Sequence, residues 1–276
     1  MQAFSEFKNM PSSFWAMVKF VSQELGYTKR SMVKTYTEKE IVDLLQFYGL
    51  KTDRRQIRNV VDYSEFRAAT LNDFVRNNLM DAQTVRAEFE RLYPIHSNND
   101  FLCSLPMNKQ KGPMRQIAYF TAIINILAEC TIREAGLFNG EKYFNDDPRS
   151  LMYVIDDGQV VGASSRRMDG AYPDIINPRM IWEVKEYYYT TTFGSRVADG
   201  VYETQLDGYE LRDISDRTNC HVKHVLFVDG YKTWWEDGKS YLCRIVDMLN
   251  AGLVDEVIIG REVFSRWPDV LASVLD

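Results

Sequence analysis

Cysteine, histidine and long apolar runs are all scarce in this chain. Its four cysteines, at 103, 130, 220 and 243, are scattered with no CxxC spacing. That excludes the common structural zinc patterns and suits a reducing compartment, so the cytoplasm is the expected location. The three histidines, at 96, 221 and 224, leave little for triad chemistry, and no serine or cysteine stands in a nucleophile-elbow pattern. His221 and His224 are three apart in a segment that reads as a strand, so they face opposite ways and make a poor metal pair. A Walker-type phosphate loop is absent, which gives no basis for nucleotide hydrolysis. No run reaches the roughly 18 apolar residues of a membrane span. The opening segment MQAFSEFKNMPSSFW lacks the basic-then-apolar plan of a secretory leader. Internal repeats and low-complexity tracts are missing as well.

What is present is the composition of an ordinary globular protein, with 45% hydrophobic and 26% charged residues in 276. That length suits one large domain or two modest ones. The net charge of −6 hides an asymmetry: residues 1 to 112 carry 16 Lys and Arg against 13 Asp and Glu, whereas the rest carries 17 against 26. The first part is therefore slightly basic and the second strongly acidic, which suits either a metal site or an acidic surface.

Up to about residue 95 the pattern is helical. TEKEIVDLLQFYG places Thr37 and Glu40 at capping-box spacing and Ile41, Leu44, Leu45 and Tyr48 on one stripe, ending at Gly49. A second helix is expected over about 53–61, with Ile57, Val60 and Val61 inward and Arg54, Arg55 and Arg58 outward. Further helices are expected over 70–79 and 81–93, the latter ending at Pro94. The short turn at Gly49 makes the first pair compatible with a helix-turn-helix, whose second helix would offer its arginines to DNA. A solvated arginine face is the plain alternative. Residues 95–112 read as a connection, giving a boundary at 112/113; Lys109 and Lys111 within it would suit phosphate contact.

From Pro113 a helix apolar on most sides is expected to lie between layers. SLMYVIDDGQVVGAS then reads as a hairpin about Asp157-Gly158, MIWEVKEYY as a third strand, and SRVADGVYETQLDGYEL as a helix with Val197, Val201, Gln205 and Tyr209 on a stripe. A strand at 221–230, a helix at 240–253 and a last strand at 254–260 follow. The order implies an α/β fold with a mixed central sheet.

The stretch PDIINPRMIWEVK, residues 173–185, concentrates the chemistry. In a strand, Glu183 and Lys185 share one face while Trp182 and Val184 enter the other layer. Asp174 precedes the strand by a proline-containing connection that can fold back beside it. Two carboxylates favour a hard divalent cation, and a lysine next to them can orient water or neutralise phosphoryl charge. The bland counterpart is an ion-pair network on a strand face.

Pro173-Asp174, eight residues, then Glu183-Val184-Lys185 resembles the signature of the PD-(D/E)xK nuclease superfamily, and the αβββαβ order of residues 113–229 is similar to its core. The resemblance covers somewhat over a hundred residues. It implies a restriction-endonuclease-like αβββαβ core with an added α-helical N-terminal region, and Mg²⁺ (Mn²⁺ as substitute) held by Asp174 and Glu183. It also implies assistance from Lys185 and a role for Gln205, since Gln205-Leu-Asp-Gly-Tyr209 is similar to the QxxxY element of some members. Some members use an acid from the helix before the strands, for which Glu129, and after it Glu134, is the candidate. Asp169 would replace Asp174 if the hairpin register differed. Glu186 faces the other way and is expected to be peripheral. Tyr187 to Tyr189, followed by three threonines, could line a nucleic-acid cleft or simply occupy a sheet edge.

Within the superfamily the chain looks most like a type II restriction endonuclease, which implies duplex DNA as partner and a homodimer. A repair or recombination nuclease, a non-catalytic DNA-binding regulator on the same fold, and a structural protein with an ion-pair network are the alternatives.

Overall fold

The chain opens with helices because its apolar residues recur at helical spacing. Phe14, Trp15, Val18 and Val21 line the buried side of α1 (Ser12–Leu25). A small hairpin, β1 (Thr28–Lys29) with β2 (Met32–Val33), leads to α2 (Glu38–Phe47). Thr37 and Glu40 close the expected reciprocal cap, with Glu40 N donating to Thr37 Oγ1 at 3.2 Å and Thr37 N to Glu40 Oε2 at 2.9 Å. Asp53 caps α3 (Arg54–Ala69) by accepting from the amides of Arg55 and Gln56. This helix is longer than expected. It runs through a π-helical turn (Thr70–Val75) into α4 (Arg76–Asn78), because the Ala68-Ala69-Thr70 junction holds nothing that breaks a helix.

This computed structural model describes residues 1–276 except Thr52, Pro113, Met114, Lys142, 189–194, Asn219 and Asp276, and only the backbone of Ser195. Tyr189 and the threonines of the aromatic run lie outside the described residues, as do the first two residues of the helix expected from Pro113.

α5 (Ala82–Asn98) continues past Pro94. The proline forfeits one amide bond to Glu90, an exposed residue whose carbonyl water can serve. Met80, Val85, Phe89 and Leu92 share one core with Phe120 and Trp182, so α5 packs with the sheet rather than with the first three helices. α6 (Tyr119–Glu134) is buried on most sides, as expected, but starts six residues after Pro113. Ile117 is taken up in a bridge to Met107, and Ala118 N donates to Pro106 O at 2.8 Å.

The hairpin forms as read: β3 (Tyr153–Asp156) pairs with β4 (Gln159–Ala163) across Asp157 and Gly158, both at positive φ. It stands as its own two-stranded sheet. The central sheet instead begins with a short strand that the sequence pattern did not reveal, β5 (Gly170–Tyr172), antiparallel to β6 (Met180–Glu186). After α7 (Ser195–Thr218) comes β7 (Lys223–Asp229), then α8 (Lys239–Asn250), β8 (Glu256–Ile259) and α9 (Val263–Ala272). The order is β5-β6-β7-β8, with β6, β7 and β8 parallel. The fold is thus mixed α/β with a mixed central sheet.

Helices cover both faces, as parallel strands require. Trp182, Val225, Phe227 and Ile258 pack toward α5, α6 and α9, while Leu226, Val228, Val257 and Ile259 pack toward α7 and α8. The N-terminal helices are tied on by Arg67, fully buried, whose NH1 reaches both Asp247 oxygens at 3.0 and 3.1 Å and whose NH2 donates to Ser22 Oγ at 2.9 Å. Tyr63 OH adds a bond to Asp247 Oδ1 at 2.6 Å. Among the described residues no helix is long and apolar enough to cross a membrane.

Candidate active site

β6 carries the site because its alternation divides it between two layers. Trp182 joins the aromatic core, with its ring 5.3 Å from that of Trp267. Glu183 and Lys185 point to the α7 side and are both buried, as the two-residue period predicts. A buried ionised group must find partners. Glu183 Oε2 accepts from Arg166 NH2 at 2.5 Å and from Lys185 Nζ at 3.0 Å. Lys185 Nζ also donates to Glu203 Oε2 at 3.1 Å, and Arg166 reaches Glu203 at 3.3 Å and Asp207 Oδ2 at 3.4 Å.

The register decides which aspartate joins. Gly170 pairs with Trp182 and Tyr172 with Met180, so Asp169, just before β5, meets the site-bearing half of β6. Its amide donates to Trp182 O at 3.2 Å and to Glu183 Oε1 at 3.2 Å, and its Oδ2 accepts from Val184 N at 2.8 Å. Asp174 lies beyond the other end of the pairing, exposed, and accepts from Asn145 Nδ2 and its neighbour Ile175 N, each at 2.7 Å. The expected meeting of Asp174 with Glu183 and Lys185 therefore does not occur; Asp169 stands in that place.

Gln205 is not brought in either. It is half-buried, with Nε2 3.5 Å from Tyr209 OH, on a different side of α7 from Glu203 and Asp207. The stripe through Val197, Val201, Gln205 and Tyr209 fails because each step of four overshoots a full turn by roughly 40°. The side that packs inward is Val197, Val201, Thr204, Asp207 and Leu211. Gly200 lets this helix come close: a Cβ there would lie 2.9 Å from Tyr187 OH and 3.3 Å from Lys185 Cδ.

Glu129 is buried but serves another purpose. Its oxygens accept from the amides of Leu102 and Cys103 and from Arg133, so it fastens the 101–103 loop to α6. Glu134 is exposed. Glu186 faces α6, as expected, accepting from Phe120 N and Thr121 Oγ1, each at 3.0 Å. Arg54, Arg55 and Arg58 are exposed on α3, with Arg58 Nε 3.7 Å from Glu38 Oε1. Lys109 and Lys111 are exposed too, and Lys109 is close enough for its charge to act on Glu203.

Arg166, Glu203 and Asp207 are members that sequence reading missed. Glu203 and Asp207 carried a signal, an acid pair at helical i,i+4 spacing. Arg166 carried none, because only the fold brings its loop to β6.

The electrostatics follow from burial and crowding. Burial first, and Asp169 second, push the Glu183 carboxyl up to about 8. Burial raises Asp207 to about 6. Burial would depress the Lys185 ammonium, but Glu183 and Asp169 offset this and its pKa is raised. Asp207 is fully buried, yet among the described residues neither of its oxygens receives a hydrogen bond. Among the described residues Asp169, Glu183, Glu203 and Asp207 surround Arg166 and Lys185, and Lys109 adds a more distant positive charge that acts on Glu203. Oxygen donors with excess negative charge are what a hard divalent cation binds. Among the described residues no three His, Cys, Asp or Glu side chains are grouped to hold a metal; Arg166 and Lys185 stand between these carboxylates. An open cleft of about 660 Å³, lined by Asn177, Arg179, His221, Lys223 and Asp255, lies at the opposite end of β6 and β7 and shares none of these residues.

Residues 80–274 match the family described as Domain of unknown function (DUF7687), and residues 1–74 match Domain of unknown function (DUF7690). The chain belongs to the DUF7687 family, whose match spans most of its length. No curated protein and no solved structure gave a significant match.

Proposed function

We propose that this chain is a Mg²⁺-dependent endonuclease that hydrolyses DNA phosphodiester bonds, with Asp169, Glu183 and Lys185 at the reacting centre of a restriction-endonuclease-like core. One observation carries the reading. Glu183 and Lys185 share a buried strand face, and Asp169 is clamped beside them by backbone bonds across β5 and β6.

Asp169 and Glu183 would hold the metal, for which Mn²⁺ can substitute; when bound, it acidifies water and neutralises phosphoryl charge. Lys185, whose Nζ donates to Glu183 and Glu203, would position the attacking water or a phosphoryl oxygen by hydrogen bonding. Gly200 keeps α7 near enough to Lys185 to limit the space its side chain can explore.

The subclass follows the same resemblance: a type II restriction enzyme cutting duplex DNA as a homodimer in the cytoplasm. Arg54, Arg55 and Arg58 would contact DNA from the N-terminal helices, and Lys109 and Lys111 would hold phosphates nearer the centre. A repair or recombination nuclease is the neighbouring alternative, separable by its preference for linear over circular DNA. The 2.5 Å Arg166–Glu183 contact favours a second reading, a DNA-binding regulator whose acids are spent in ion pairs.

The test is supercoiled plasmid with purified protein in Mg²⁺, alongside EDTA and Lys185→Ala controls. Discrete fragments lost in both controls support the endonuclease. Retained DNA binding without cleavage of DNA from several sources would move the assignment to the regulator.

A further inference from the structure

Arg166 sits where the acidic groups of two elements converge. Its NH2 contacts Glu183 on β6 and Glu203 on α7, and its NH1 lies 3.4 Å from Asp207, one turn along α7. Among the described residues that ion pair is not a hydrogen bond and the Asp207 oxygens accept none, although the side chain is fully buried. A carboxylate removed from water normally has its lone pairs satisfied. Here a bidentate arginine contact, the arrangement that best matches guanidinium to carboxylate, is not formed. Asp207 is instead left half-served beside a cation that is better engaged with Glu183.

We propose that Arg166 is a resident cation that holds the place of a divalent metal between Glu183 and Asp207, and that it yields this place when metal binds. Asp207 then becomes a further carboxylate of the metal site, with Glu203 retained as the partner of Lys185. The inference rests on the metal-dependent reading above. Its logic is charge balance: a buried carboxylate cluster needs a cation to fold, and Arg166 supplies one before the metal is present. Arg166 is 22% exposed at its side chain, so its guanidinium has a route to solvent. Its backbone neighbourhood is anchored independently, because Ser164 Oγ bonds Met152 N and Arg166 O, and Ser165 N donates to Glu210. The side chain can therefore move while the loop stays.

The experiment is Mn²⁺ binding to the full-length protein, read as free Mn²⁺ by electron paramagnetic resonance. The proteins compared are wild type, Arg166→Ala, Arg166→Lys and the double variant Arg166→Ala/Asp207→Asn. Arg166→Ala is expected to bind Mn²⁺ at least tenfold more tightly than wild type. The double variant should lose most of that gain, and Arg166→Lys should stay near wild type. Tens of millimolar guanidinium chloride should weaken Mn²⁺ binding to Arg166→Ala but not to wild type, with sodium chloride at equal ionic strength as control. If Arg166→Ala does not fold, Arg166→Lys in the same assay and a Mn²⁺ titration of wild type with Asp207→Asn still decide whether Asp207 contributes. Wild type binding Mn²⁺ as tightly as Arg166→Ala, or as tightly as Asp207→Asn, overturns this proposal and leaves the metal-dependent reading standing. Failure of every protein, wild type included, to bind Mn²⁺ overturns both.

Discussion

Arg67 and Arg166 are both arginines facing carboxylates inside the fold, and their surroundings differ in balance. At the junction of the N-terminal helices with α8, Arg67 meets a single carboxylate, Asp247, along both of its oxygens, with neutral hydroxyls from Ser22, Tyr36 and Tyr63 around the pair and Nε alone without a hydrogen bond among the described residues. Beside β6, Arg166 and Lys185 face four carboxylates, and both oxygens of Asp207 lack a hydrogen bond among the described residues. The first cluster is matched charge for charge and joins two parts of the chain. The second sets four carboxylates against Arg166 and Lys185, with Lys109 acting more distantly on Glu203. One carboxylate per cation at a junction suits structure; several acids crowded around few cations suit a ligand.

The sharpest way to break this contrast is to remove one partner at the junction. Arg67→Ala leaves Asp247 buried with hydroxyls alone and should cost about 3–5 kcal/mol of stability in urea unfolding. Replacing both partners, as Arg67→Met with Asp247→Leu, should cost far less or nothing. If the single and double variants were equally damaging, the junction would not be simple glue.

Next in size is the pair Asp169→Asn and Asp174→Asn. The first should slow plasmid cleavage by roughly 10²–10³-fold, the scale of losing one electrostatic group of a reacting centre. The second should change it less than about twofold, because among the described residues the Asp174 side chain hydrogen-bonds only Asn145 and its neighbour Ile175. The reverse ranking would return the site to the Pro173-Asp174 motif.

A third buried ionisable group is the His224 ring. It bonds Leu253 O through Nδ1, has no partner for Nε2 among the described residues, and is held down to about 4 by burial, against the opposing pull of Asp255, which accepts from the His224 amide. With its folded pKa below the ordinary value, the unfolded chain takes up a proton first as pH falls. Stability is therefore lost between about pH 6.5 and 4, by up to roughly 3 kcal/mol. His224→Asn, which can keep a donor to Leu253, should show a shallower loss in thermal unfolding across that window.

The smallest effects belong to the exposed arginines. Alanine at Arg54, Arg55 or Arg58 should leave stability within about 0.5 kcal/mol. Each should lower the salt dependence of duplex binding by about one unit of slope if it meets a phosphate. An unchanged slope would assign α3 to the solvated surface.

The site-bearing strand was legible because its period is two and its inward layer is aromatic; Glu183 and Lys185 could be placed on one face from Trp182 and Val184 alone. Both aspartates could be named, but the choice between them could not be made, because β5 is a Gly-Ala-Tyr segment too short to show periodicity, and only its antiparallel register puts Asp169 rather than Asp174 beside Glu183. The α7 side was misread by a stripe with the wrong step, which hid Asp207 on a buried line of Val197, Val201 and Thr204. Arg166 lies on a loop whose position depends on β5 pairing, so no local pattern announces it. The mixed α/β order was readable throughout, whereas the separation of the β3–β4 hairpin from the central sheet was not.

Glu186 changes how a loss-of-function screen on this protein must be interpreted. It touches no member of the acidic cluster, yet it is bonded to the start of α6 immediately after Lys185 in the same strand. A variant such as Glu186→Ala would free one end of α6 and let the strand shift, carrying Lys185 with it. Such a screen would score Glu186 alongside the groups proposed to react, while the remedy for it would lie on the far side of the sheet, at Phe120 and Thr121.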